Sequence, residues 1–120
     1  MKILNVNMSL DPAEGGSVER TIQMSLAQVR AGHDVTILVT DKGLAPGKAT
    51  SLLPARLVAL RCANKRFYIP LAPRRLLREL VGKADIVHLM NHWTVLNALV
   101  YYEARRQRKP YVVCPAGALR

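Results

Sequence analysis

The chain has 120 residues, with 18 Lys and Arg against 8 Asp and Glu, a formal net charge of +10 and a hydrophobic fraction of 50%. That length fits one domain and leaves no room for a second core of ordinary size, and the hydrophobic fraction excludes a disordered chain. One Trp, one Phe and four Tyr are too few for an aromatic platform that stacks single-stranded nucleic acid.

Taken in chain order, Lys2 to Met8 reads as a short buried strand, rich in Ile, Leu and Val. A polar loop, Ser9 to Gly16, follows. Ser17 is read as the N-cap of a helix whose Val18, Ile22, Leu26 and Val29 fall at helical spacing, and Gly32 as its left-handed C-cap. Val35 to Thr40 is dense in β-branched residues and reads as a second strand. Asp41 to Pro54 is a loop, Arg56 to Leu60 a third strand, and the stretch after it a basic turn. Pro73 to Val81 reads as a short amphipathic helix with Leu76, Leu77, Leu80 and Val81 on its apolar side. Asp85 to Met90 is a fourth strand, Trp93 to Arg108 a longer helix, and Pro110 to Cys114 a fifth strand. Strands alternating with helices imply an α/β domain built on a Rossmann-like, doubly wound parallel sheet.

The opening residues are too short and too quickly polar for a signal peptide, and no apolar run approaches the roughly 18 residues of a membrane span. The expected location is therefore cytoplasmic. Cys62 and Cys114 have no partner spacing for a metal, and Cys114, in an apolar run, reads as a buried reduced thiol. The positive charge falls into three patches, Arg61 to Arg66, Arg74 to Arg78 and Arg105 to Lys109, without any nucleic-acid-binding signature. No nucleic-acid partner is expected. An anionic membrane, an anionic acceptor or plain solubility accounts for the charge equally well.

Two segments carry chemistry. Gly15-Gly16-Ser17 lies between the first strand and first helix, where a backbone without side chains and the free N–H groups of a helix start suit a phosphate or a sugar hydroxyl. The alternative is a turn that merely needs positive φ. There is no G-x-G-x-x-G, and Gly43-Leu44-Ala45-Pro46-Gly47-Lys48-Ala49 is one residue short of a P-loop and precedes no helix. The second segment is Asp85-Ile86-Val87-His88-Leu89-Met90-Asn91-His92-Trp93. His88 lies near the carboxyl end of a strand, beside the crevice where open α/β sheets bind ligands. An imidazole there can donate to a sugar oxygen or a phosphate, or polarise an acceptor; the alternative is a structural His bonded to a backbone carbonyl. His92 belongs to the following turn, and Trp93 reads as a packing residue.

These pieces, together with Ala31-Gly32-His33-Asp34-Val35-Thr36 and the segment Lys109 to Leu119, resemble the family-4 retaining glycosyltransferases of the GT-B fold, from end to end and in the right order. The resemblance implies that the chain is the acceptor-side N-terminal domain, incomplete at 120 residues. It also implies that the C-terminal domain binding the nucleotide sugar is absent. It assigns Gly15 and Gly16 to the cleft near the donor phosphates and acceptor, and His88 to the family histidine near the transferred sugar. Met90 and Asn91 stand where members commonly carry the His-Gly of a His-x-His-Gly motif, which removes a second histidine role. No metal or other cofactor is implied. The expected partners are a nucleotide sugar and a glycan or lipid-linked acceptor, with polysaccharide biosynthesis as the setting. Peripheral membrane contact through Arg74, Arg75 and Arg78 is a further expectation, against a solvated helix face as the alternative. The competing function is a stand-alone basic binding module for a nucleotide, an anionic glycan or a partner protein.

Overall fold

A computed structural model describes residues 1–7, 10, 16–41, 54–64, 69–70, 73–90 and 95–114. Among them the elements are β1 (Lys2–Val6), α1 (Gly16–Arg30), β2 (Asp34–Thr40), β3 (Arg56–Leu60), β4 (Cys62–Asn64), β5 (Ile69–Pro70), α2 (Arg74–Lys83), β6 (Ile86–Met90), α3 (Val95–Arg106) and β7 (Tyr111–Cys114). Five strands form one parallel sheet in the order β3-β2-β1-β6-β7. The chain therefore steps outward from β1 to β3, returns across the sheet, and resumes beside β1 with β6. The fold is the Rossmann-like α/β domain that the alternation of strands and helices implies.

Strand periodicity divides the core into two layers. On one face, Leu4, Val6, Leu38, Val87 and Leu89 pack against Leu77 and Val81 of α2 and against Leu96, Val100 and Ala104 of α3. On the other, Val35, Ile37 and Val39 pack against Val18, Ile22, Leu26 and Val29 of α1. Covering both faces explains why β2 reads as an almost unbroken apolar run. Leu76, Leu77, Leu80 and Val81 all belong to the first layer, as buried or partly buried residues. The apolar side of α2 is thus consumed by the core, and Arg74, Arg75 and Arg78 face solvent together with Glu79 and Lys83. No helix of the described residues is long and apolar enough to cross a membrane.

Helix ends follow backbone hydrogen-bonding needs. α1 closes with His33 N–H donating to the Gln28 carbonyl at 3.1 Å and Gly32 N–H to Val29 at 3.0 Å, with Gly32 at φ +92°. This is the Schellman arrangement expected of Gly32. α3 closes in the same way, Lys109 donating to Ala104 at 2.9 Å and Arg108 to Arg105 at 3.1 Å, but with Arg108 in the left-handed position at φ 56°. Beyond it, Lys109 Nζ reaches the Gly82 carbonyl of α2 at 3.1 Å, and Gln107 Nε2 the Arg78 carbonyl at 3.1 Å. Tyr101 of α3 meets Tyr111 of β7 edge to face, with centroids 5.1 Å apart.

Several boundaries differ from the sequence expectation. α1 starts at Gly16, so Ser17 is the second residue of the helix and not its N-cap. β1 ends at Val6, α2 runs on to Lys83, and α3 ends at Arg106, two residues before the expected end. Part of the basic stretch after β3 is extended, β4 pairing antiparallel with β5. Strand pairing at that point owes nothing to apolar alternation, so no period announced it.

Candidate functional site

The strand order reverses between β1 and β6, and there the face toward α1 changes character. Along β1 and the residue after it, that face carries Ile3, Asn5 and Asn7; in β6, His88 lies level with Asn5 in the pairing register. Asn5 and Asn7 are fully buried. Burying an amide without partners costs about 1–3 kcal/mol, so each must be matched. The match comes from α1, whose Thr21, Ser25 and Gln28 recur at helical spacing on one side. Asn7 Nδ2 donates to Thr21 Oγ1 at 2.9 Å. Asn5 Nδ2 donates to Ser25 Oγ at 2.9 Å and to Gln28 Oε1 at 2.8 Å. Because Thr21 sits level with Asn7, and Ser25 and Gln28 with Asn5, α1 runs antiparallel to β1. Its N-terminus, with Gly16 and Ser17, lies toward the carboxyl edge of the sheet.

His88 joins this network. Its Nδ1 lies 3.0 Å from Asn5 Oδ1 and 3.4 Å from Gln28 Nε2. The ring is half-buried, and burial holds its pKa below the ordinary imidazole value. No carboxylate among the described residues bonds to it, so nothing opposes that desolvation. The residue is third of five in β6, two short of the strand end, and its bonding partner is a side-chain amide and not a backbone carbonyl. Burial therefore favours the neutral imidazole, and the ring is anchored through Nδ1.

The structure places the sequence-derived residues unevenly. His88 lies on the sheet face that α1 covers, against Asn5 and Gln28, and the start of α1 is not adjacent to it. Gly16 precedes the level of Ser25 and Gln28 by about ten residues, or ~15 Å of helix at 1.5 Å per residue. Gly15, His92 and Trp93 lie outside the described residues, as does the Gly43–Lys48 stretch. Asn5, Asn7, Thr21, Ser25 and Gln28 escaped the sequence reading. The signal was present, since two Asn alternate in an otherwise aliphatic strand and three polar residues share one helix side at positions 21, 25 and 28.

Elsewhere, a cavity of about 310 Å³ is lined by Lys2, Asp34, Arg56, Glu79 and Lys83. Lys2, Asp34 and Arg56 are the first residues of their strands, so this cavity opens at the amino end of the sheet, opposite the crevice. Ligands of open α/β sheets bind at the carboxyl end, where the strand order reverses, so the β1–β6 reversal near His88 is the better candidate. No group of three or more His, Cys, Asp or Glu among the described residues is placed to hold a metal ion.

Comparison with known proteins bears on what such a crevice serves. No curated protein matches the chain. The family model for the glycosyl transferase 4-like domain matches residues 15–120, a span that takes in α1, the whole of the sheet after β1, and His88. With that match over most of its length and the parallel Rossmann-like sheet beneath it, the chain belongs to the glycosyl transferase 4-like domain family.

Proposed function

We propose that this domain forms the acceptor-side half of a retaining, hexosyltransferase-type glycosyltransferase that moves a sugar from a nucleotide-sugar donor to a glycan or lipid-linked acceptor. The observation that carries the reading is the polar network at the β1–β6 reversal, where His88, anchored by Asn5, occupies a sheet face that is aliphatic away from that network. His88 then serves the reacting sugar. The N–H groups at the start of α1, with Gly15, Gly16 and Ser17, serve phosphate or sugar oxygens at the far end of the crevice. Catalysis in this reading is electrostatic: the site stabilises the departing diphosphate and the developing positive charge on the sugar, and the family resemblance implies no resident metal.

Half of a cleft cannot enclose the donor, so the 120-residue chain is expected to lack transfer and donor hydrolysis by itself. A cytoplasmic enzyme working on a lipid-linked acceptor would meet the membrane through the exposed Arg74, Arg75 and Arg78, by charge and not by insertion. The experiment is to assay the purified chain and the product of the complete reading frame side by side against a panel of nucleotide sugars. Transfer by the complete product alone supports the proposal. Robust turnover by the 120-residue chain, or none by either protein across the panel, contradicts it.

A further inference from the structure

Asn5 is an unusual residue for the middle of a buried parallel strand. Its neighbours Ile3, Leu4 and Val6 are aliphatic, and an aliphatic residue in its place would need no partners. Its bonding explains what it contributes. A side-chain amide has two N–H donors and one carbonyl acceptor. Both donors are used, one on Ser25 Oγ at 2.9 Å and one on Gln28 Oε1 at 2.8 Å. What remains is the carbonyl oxygen, and it lies 3.0 Å from His88 Nδ1. An acceptor opposite a ring nitrogen requires that nitrogen to carry the proton. The Gln28 amide nitrogen approaches the same Nδ1 at 3.4 Å, too long to compete with the 3.0 Å contact.

A neutral imidazole has a single N–H. With Nδ1 protonated, Nε2 is bare, and it has no hydrogen-bond partner among the described residues. We propose that Asn5 is a positioning residue for His88: by accepting the Nδ1 proton it holds the ring in the tautomer whose Nε2 offers a lone pair to a hydroxyl of the bound sugar. This rests on the reading of His88 as a site residue and sharpens it. A bare lone pair accepts from a hydroxyl and repels a phosphate oxygen. His88 therefore marks the sugar end of the crevice, and the diphosphate belongs elsewhere. It also reverses the polarity expected from sequence, where an imidazole donating to the substrate was one option.

The test is the ¹⁵N spectrum of the histidine-labelled chain, at a pH where the ring is neutral. The Nδ1–H tautomer should dominate at His88. Asn5→Leu should shift the tautomer ratio by roughly three- to tenfold toward that of free histidine, the scale of one net hydrogen bond. Asn5→Asp, whose carboxylate only accepts, should restore it. Dominance of Nε2–H in the unaltered chain overturns the proposal, as does a ratio indifferent to Asn5→Leu. The first of these needs no variant to fold. Methyl α-glucoside, methyl α-mannoside and inorganic pyrophosphate then serve as probes. Movement of the Nε2 resonance with a glycoside and not with pyrophosphate supports the hydroxyl contact. Movement with pyrophosphate alone, or with none of the three, removes that contact and with it the reading of His88. The tautomer result stands or falls separately.

Discussion

α1 and α3 end in the same pair of backbone bonds, yet one uses Gly32 and the other Arg108 at the left-handed position. That conformation costs an L-residue about 1–2 kcal/mol, whereas glycine adopts it freely. Glycine also loses more backbone entropy on folding, by about 0.4–1 kcal/mol relative to alanine. The net advantage of glycine over alanine should therefore be about 1 kcal/mol. At position 32 nothing lies within 4 Å of where a Cβ would be added, so Gly32→Ala isolates the backbone term. At position 108 the comparison must be Arg108→Gly against Arg108→Ala, because both remove the charge and its interaction with the helix end. Urea unfolding with matched slopes should find Gly32→Ala destabilised by about 1 kcal/mol and Arg108→Gly more stable than Arg108→Ala by a similar amount. Equal stability of the two position-108 variants, or a neutral Gly32→Ala, would refute the reasoning.

Leu96 is fully buried between α3 and the sheet, and Leu96→Ala should cost about 2–5 kcal/mol in the same assay. The depressed pKa of His88 means that the unfolded chain binds the proton more readily. Stability should therefore be fully present above pH 6.5 and fall as pH drops through the lowered folded value, with a shallower fall in His88→Gln. A pH profile for His88→Gln that superimposes on the unaltered chain's would count against burial as the cause. Strand β7 ends the described sheet and exposes Val112 and Val113 at 44% and 43%. Sedimentation velocity should show concentration-dependent self-association that Val113→Lys weakens, and a monomer at every concentration would oppose this.

The periodic parts of the fold were legible. Val35 to Thr40 could only be a strand, and Val18, Ile22, Leu26 and Val29 only a helix side, because burial on both sheet faces writes itself into apolar spacing. Gly32 announced its own role. Arg108 did not, since nothing in an arginine marks the left-handed turn that its neighbours' hydrogen bonds impose. Ser17 looked like a cap by residue type, and the helix begins one residue earlier. The site was half legible. His88 stood out as a titratable group near a strand end, but its partners are Asn, Ser and Gln, common residues whose meaning appears only when β1, β6 and α1 come together. For α2 the sequence left two readings, a helix laid on an anionic membrane and a solvated face packed on its own sheet. Leu76, Leu77, Leu80 and Val81 pack into the core, which leaves the exposed arginines as the part able to meet a membrane.

The most direct test of the account is the turnover of His88→Ala in a transfer-competent form of the protein, with His92→Ala beside it. If His88 contacts the reacting sugar in a closed site, its loss should lower kcat by on the order of a hundredfold, about 3 kcal/mol, while donor KM changes little. His92→Ala should be mild, and both variants should remain folded at the assay temperature. His88→Ala should have a lowered melting point, because it leaves the buried Asn5 carbonyl without its partner. A folded His88→Ala with near-normal kcat, or a larger kinetic defect in His92→Ala, would contradict the assignment of the crevice between β1 and β6.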